Sequence, residues 1–178
     1  KAWYYGEVYT ATGLGLMNGV SADEFEPEEN MTRAMMVTVL WRLEGSPKPT
    51  GENQFKDVKN GEWFTDAIVW AAETDIVNGV GDAKFAPEEN ITREQIATIL
   101  YRYAEKKGCD MSKRAKLDSF PDGNKVSDWA KEALSWANAE GLVNGSTEGK
   151  ETYLLPRENA TRAQVAAIFV RFVANILA

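Results

Sequence analysis

Pro27-Glu28-Glu29-Asn30-Met31-Thr32-Arg33 returns as Pro87-Glu88-Glu89-Asn90-Ile91-Thr92-Arg93, and the reading of the fold grows from that recurrence. Working outward, Trp3 to Arg42 aligns with Trp63 to Arg102 without a gap, and 15 of the 40 positions are identical. Composition alone would give about two or three. A third copy follows: Trp129, Asn144 and Gly145 match Trp63, Asn78 and Gly79, and after a loop three residues longer Pro156, Thr161 and Arg162 match Pro87, Thr92 and Arg93. The chain is therefore a triplicated unit, and each unit must be read as part of an array.

Each unit reads as helix, loop, helix. In the second copy Trp63, Ala67, Trp70, Ala71 and Thr74 recur at helical spacing and predict a first helix with one buried stripe. Gly15 and Gly141 stand where a left-handed residue ends such a helix, and the second copy has Asp75 there. The Asn-Gly pairs that follow predict a turn with positive φ.

A Thr announces each second helix. Thr32, Thr92 and Thr161 precede the apolar sets Met36/Val39/Leu40/Leu43, Ile96/Ile99/Leu100/Tyr103 and Val165/Ile168/Phe169/Phe172. An N-cap Thr satisfies an orphan backbone N–H, typically worth about 1 kcal/mol. Gln95 and Gln164 complete capping boxes; Met35 cannot.

A helix pair this short cannot bury its stripe alone, so the units must share a core. The expected fold class is all-α: three helix-loop-helix repeats, residues 1–48, 52–108 and 117–178, packed as one domain with approximate threefold symmetry. Gly45-Ser46-Pro47-Lys48-Pro49-Thr50-Gly51 and Lys106-Lys107-Gly108 read as linkers.

Composition narrows the function. The 178 residues are 44% hydrophobic, enough for a real interior, and carry 20 basic against 27 acidic side chains, a net charge of −7. No Lys/Arg run gives the footprint of nucleic-acid binding. No apolar run reaches the roughly 18 to 20 residues that would insert in a membrane as a helix. Neither an initiator Met nor a leader-like run stands at Lys1, so a fragment or processed product is expected. The single Cys109 forms no intrachain disulfide, and the chain has no His. The commonest general base and metal ligand are thereby missing. No cofactor or metal is expected: Glu28-Glu29 and Glu88-Glu89 lack the alternating ligands of a calcium loop.

The motifs resemble the S-layer homology repeat. The resemblance is carried by Phe55-Lys56-Asp57-Val58, Trp63-Phe64, Ala67-Ile68, Asn78-Gly79, Phe85-Ala86-Pro87 and Ile91-Thr92-Arg93. It is repeated in Phe120-Pro121-Asp122, Trp129, Ala133-Leu134, Gly145, Pro156 and Ala160-Thr161-Arg162, and in Trp3-Tyr4, Asn18-Gly19, Phe25-Glu26-Pro27 and Met31-Thr32-Arg33. It implies a three-pronged, spindle-like domain whose inter-prong grooves bind secondary cell-wall polysaccharide, often pyruvylated. Some members of the family bind peptidoglycan. It also implies an extracellular place on the bacterial surface. The sequence departs from the family's Thr-Arg-Ala-Glu: the last position is Met35, Gln95 or Gln164. The Phe-x-Asp element is absent from the first copy.

The candidate ligand-binding residues have a physical logic of their own. Arg33, Arg93 and Arg162 stand in the first turn of a helix, where a cation opposes the dipole by a few tenths of a kcal/mol. A bound carboxylate would offset that cost through a planar donor fork; a salt bridge to Asp57 or Asp122 would do so as well. Trp3, Trp63 and Trp129 could stack on sugar rings or simply pack the helix start. Gly19, Gly79 and Gly145 would allow close approach of a saccharide, or only serve the turn. Asp57 and Asp122 join the set, with caps as their structural alternative.

The expected function is a non-catalytic wall-anchoring module for a surface protein. A carboxylate-only glycosidase needs two different carboxyl roles across one cleft, which equivalent repeats do not supply. A protein-lattice element is the remaining rival.

Overall fold

The computed structural model describes residues 2–21 and 24–178; Lys1, read above as the start of a fragment, lies outside them. Each repeat contributes two helices: α1 (Tyr5–Gly13) and α2 (Arg33–Leu43), α3 (Thr65–Glu73) and α4 (Arg93–Lys106), α5 (Lys131–Ala139) and α6 (Arg162–Phe172). Short 3-10 turns precede α5, and a π-helical turn, Val173–Leu177, ends the chain.

The expectation of an all-α fold is corrected. Ser146–Glu148 (β1) and Glu151–Tyr153 (β2) pair antiparallel in the third repeat. The longer loop makes this hairpin, because Gly149, with φ of 64°, can open a two-residue turn. Strand-like bridges also join Asn30 to Thr161, Thr32 to Asn90 and Thr92 to Asn159.

Those bridges close a ring at the heart of the molecule. The Met31 N–H donates to Ala160 O at 2.9 Å, Ala160 N–H to Ile91 O at 3.0 Å, and Ile91 N–H to Met31 O at 2.9 Å. Around it the exposed starts of the second helices find acceptors in the next repeat. Arg33 and Ala34 N–H donate to Glu89 and Pro87 O, Arg93 and Glu94 N–H to Glu158 and Pro156 O, and Arg162 and Ala163 N–H to Glu29 and Pro27 O. Orphan N–H groups that a helix start must satisfy thus become the contacts between repeats.

The helices follow the same cycle. α3 packs on α2, α5 on α4, and α1 on α6, so the first helix closes against the last. One continuous core runs through all three repeats, with Met36, Leu40, Ile68, Ile96, Leu100, Leu134, Trp136, Phe169 and Phe172 fully buried.

Local expectations fare unevenly. Thr32, Thr92 and Thr161 cap α2, α4 and α6, with full capping boxes at Gln95 and Gln164 only. Gly15, Asp75 and Gly141 take the left-handed conformation at φ of 70°, 54° and 72°. Trp63 does not belong to the buried stripe of α3: it precedes the helix and is 56% exposed. Nor do Gly19 and Gly79 have positive φ; only Gly145 does. They are required for space, since a Cβ on Gly79 would stand 2.4 Å from Lys84 O, and one on Gly19 2.5 Å from Glu24 O.

Candidate carbohydrate-binding grooves

Three equivalent grooves lie between the repeats, and each takes residues from all three. Groove A, about 360 Å³, combines Asn18 and Gly19 of the first repeat with Met35, Thr38 and Arg42 of α2, Trp63 of the second and Arg162 of the third. Groove B, about 200 Å³, combines Asn78 and Gly79 with Gln95, Thr98 and Arg102 of α4, Trp129 and Arg33. Groove C, about 520 Å³, combines Asn144 and Gly145 with Gln164, Ala167 and Arg171 of α6, Trp3 and Arg93. No repeat makes a groove alone.

The helix-start arginines are buried, 6–9% exposed, and two of them spend their donors inside the protein. Arg33 Nε donates to Phe85 O at 2.9 Å and Nη2 to Asn78 O at 3.4 Å. Arg162 Nε donates to Phe25 O at 2.8 Å and Nη2 to Asn18 O at 2.7 Å. Their guanidinium groups also lie over the rings of Phe85 and Phe25, at 4.7 and 4.6 Å from the centroids. Burial lowers the pKa of all three. The partners that offset the dipole cost are carbonyls of the next repeat, and no ion pair of these arginines occurs among the described residues.

Arg93 differs. Its side chain makes one hydrogen bond among the described residues, from Nη2 to Ser146 Oγ at 3.2 Å. Ser146 is the first residue of β1, so the hairpin supplies this acceptor. Groove C therefore keeps guanidinium donors free of protein acceptors among the described residues.

The tryptophans stand at the groove mouths, Trp3 60%, Trp63 56% and Trp129 59% exposed. Trp3 and Trp63 are held edge-on by Tyr4 and Phe64, at 5.4 and 5.0 Å between centroids. An exposed indole fixed by its neighbour offers a flat apolar surface at low ordering cost.

Asp57 and Asp122 line none of the three grooves. Asp57 accepts from Phe85 and Ala86 N–H, both at 2.8 Å; Asp122 accepts from Leu154 and Leu155 N–H at 2.9 and 2.8 Å. Each clamps the kinked backbone under a groove. Desolvation pushes Asp57 up, but the N–H donors outweigh it and its pKa is lowered.

A second arginine row was absent from the candidates: Arg42, Arg102 and Arg171, one lining each groove. Their common register in all three repeats was the signal. Arg42 and Arg171 reach Leu16 O and Leu142 O at 3.4 and 3.5 Å; Arg102 has no protein acceptor among the described residues. No helix of the described residues is long and apolar enough to cross a membrane.

The family model described as S-layer homology domain matches residues 1–35, 54–97 and 119–166. The chain belongs to the S-layer homology domain family. It is a cell-surface anchoring module, located outside the cell. It is 33% identical over 170 residues to the Surface-layer 125 kDa protein of Lysinibacillus sphaericus, covering 95% of this chain and 14% of that protein. It is 33% identical over 167 residues to an Amylopullulanase of Thermoanaerobacterium thermosulfurigenes, covering 93% of this chain and 9% of the enzyme. A Cellulosome-anchoring protein of Acetivibrio thermocellus is 29% identical over 164 residues, 87% of this chain and 34% of that protein. The chain thus spans only a small part of these relatives. Its fold resembles part of the undecaheme cytochrome from the S-layer of Carboxydothermus ferrireducens, with a TM-score of 0.51 at 18% identity over 96% of this chain and 20% of that one.

Proposed function

We propose that the S-layer homology repeats 1–48, 52–108 and 117–178 act as one non-catalytic module that tethers a parent protein to the bacterial wall by binding secondary cell-wall polysaccharide. The observation that carries this reading is the threefold groove, in which an exposed Trp, two arginines and a Gly-floored backbone converge from three repeats. Sugar rings stack on Trp3, Trp63 and Trp129. Acidic substituents, such as a pyruvate ketal, meet Arg42, Arg102, Arg171 and the free donors of Arg93. In a chain of net charge −7, these are local positive spots suited to an acidic glycan rather than a broad basic field. The relatives support the same reading: a Surface-layer 125 kDa protein, an Amylopullulanase and a Cellulosome-anchoring protein each carry a segment similar to this chain.

The experiment is co-sedimentation with purified wall sacculi, intact and chemically stripped of secondary polysaccharide, using the chain and its Trp3→Ala/Trp63→Ala/Trp129→Ala variant. Loss of binding on stripping and in the folded variant is the expected result. Binding unchanged by stripping would assign the module to peptidoglycan. No binding to either wall would leave the protein-lattice role.

A further inference from the structure

The three grooves share a plan but not a chemistry, because the third repeat departs from the other two at three aligned positions. Val20 and Val80, both exposed, wall grooves A and B; Ser146 takes their place in groove C. Phe25 and Phe85 lie under the guanidinium groups of Arg162 and Arg33. Their counterpart Leu154 is fully buried and has no ring for a cation–π contact with Arg93. Thr38 and Thr98 line grooves A and B, each hydroxyl donating back to its own helix at 2.8 Å. Groove C has Ala167 there.

The three changes act in one direction. Arg33 and Arg162 donate Nε and Nη2 to backbone carbonyls, which occupies one bidentate edge of the guanidinium. Arg93 makes neither contact. Its side chain donates only from Nη2, to the Ser146 hydroxyl, and its Nε and Nη1 meet no acceptor among the described residues. Glu158 and Asp122 act on it electrostatically, but neither forms an ion pair with it among the described residues. Arg171 and Gln164 line the same groove. The Gln164 Oε1 is taken by Thr161 N–H, which leaves its amide nitrogen as a further donor. The smaller Ala167 adds room, and groove C measures about 520 Å³ against about 360 and 200 Å³ for A and B.

The structure assigns groove C as the seat selective for a sugar bearing a carboxylate, with Ser146 as the positioning residue that holds Arg93 for it. This rests on the glycan reading and deepens it, by giving the grooves different parts of the ligand. The carboxylate accepts from the unpartnered N–H groups of Arg93 while its sugar ring stacks on Trp3. Ala167 clears space that a threonine side chain takes in the other grooves. Grooves A and B, walled by valine and with the Nε–Nη2 edge of their helix-start arginine engaged, hold uncharged stretches of the same glycan.

The test isolates the grooves. Trp63→Ala/Trp129→Ala leaves groove C, and Trp3→Ala leaves A and B; all three indoles are exposed, so neither protein loses core packing. Isothermal titration uses fragments of an acidic wall polysaccharide before and after reduction of their carboxyl groups to alcohols. Reduction should weaken binding to the groove C protein by about ten-fold or more, the scale of one charge-assisted contact. In the Trp3→Ala protein it should do so by less than about three-fold, as for an exposed ion pair. Adding Ser146→Val to the groove C protein should bring its ratio down to that of Trp3→Ala, whereas Ser146→Thr, which keeps the hydroxyl, should preserve it. A general structural fault would weaken both fragments alike and leave the ratio in place. Equal ratios in the two proteins, a ratio unmoved by Ser146→Val, or one lost equally in Ser146→Thr would overturn the assignment. If the unaltered chain binds neither fragment, the glycan reading itself falls and this assignment with it.

Discussion

Arg162 Nε donates to the carbonyl oxygen of Phe25 at 2.8 Å, a contact across 137 positions of sequence that fastens the last repeat to the first. The residue that by sequence looks like a ligand-binding arginine is also a structural tie. Its Nη2 donates to Asn18 O, and its guanidinium covers the Phe25 ring. Hydrogen bonds to a charged group contribute about 1.5–3 kcal/mol each, and removing the donor leaves two carbonyls to find water. Arg162→Ala should lower stability by about 2–4 kcal/mol in urea unfolding. Trp3→Ala, at an exposed site, should change it by less than about 1 kcal/mol. A loss of wall binding in Arg162→Ala alone therefore says nothing about the groove, which is why the tryptophans are the cleaner test.

Arg93 should separate the two roles. With Ser146 Oγ as the only hydrogen-bonding partner of its side chain among the described residues, Arg93→Gln should cost less stability than Arg33→Gln or Arg162→Gln. On the polysaccharide reading it should weaken glycan binding in groove C by roughly ten-fold, the loss of one charge-assisted contact. Isothermal titration with wall polysaccharide, alongside urea unfolding of the three variants, measures both. Equal stability losses with unchanged binding would make Arg93 another structural tie.

How much of this was legible depended on which residues are compared. The triplication, the N-cap threonines and the two complete capping boxes stood in the sequence, because each is a local pattern. The cyclic packing did not. Periodicity marks the apolar face of α3 but not that α2 is what covers it. The carbonyl partners of Arg33 lie 45 and 52 positions away, beyond any spacing rule. The β-hairpin escaped notice because Ser146–Tyr153 is a run of short polar strands without apolar alternation. Trp63 read as core because helical spacing does not distinguish a first turn from the residue just before it. The Arg42, Arg102 and Arg171 row was visible in the repeat alignment, yet nothing in the sequence separated a groove wall from a solvated helix face.

The glycine prediction follows from space rather than φ. Gly79→Ala would put Cβ 2.4 Å from Lys84 O and 2.9 Å from Phe55 Cε1, and the backbone cannot yield without shifting the loop. A destabilisation of about 1–3 kcal/mol is expected, as for overpacking elsewhere. Gly6→Ala, in α1 with open space around Cβ, should raise stability by about 0.5–1 kcal/mol through helix propensity. Thermal unfolding of the pair is the check. A neutral Gly79→Ala would show that the loop relaxes.

Acid should loosen the Asp57 clamp. Asp57 has a lowered pKa: burial opposes the charge, but the Phe85 and Ala86 N–H donors prevail. A carboxylate depressed in the folded state binds its proton more readily when unfolded, so acid favours unfolding. The stabilisation is whole above the unfolded value, about pH 4, and is lost as pH falls through the lower folded value. Glu73 adds to the same window, its pKa lowered by the Gly51 N–H against a smaller desolvation penalty. The urea midpoint should hold between pH 7 and 5 and drop below pH 4. In Asp57→Asn the midpoint should be lower at pH 7 and the acid drop shallower. An unchanged slope would remove Asp57 from the account.

The first repeat can be brought to the standard of its neighbours by one substitution. Thr32 Oγ1 accepts from Met35 N–H at 3.2 Å, but among the described residues nothing returns to the Thr32 N–H. In the other repeats Gln95 and Gln164 Oε1 accept from Thr92 and Thr161 N–H, both at 3.1 Å. Met35→Gln supplies that acceptor, a net gain of about 0.5–1.5 kcal/mol for a hydrogen bond. It also gives up part of a thioether side chain that is only half-buried at the rim of groove A, roughly 0.5 kcal/mol. The urea midpoint should rise with the m-value unchanged, and the Thr32 amide should exchange more slowly. A lowered midpoint with no added protection at Thr32 would mean that Met35 contributes more by packing than a capping box can return.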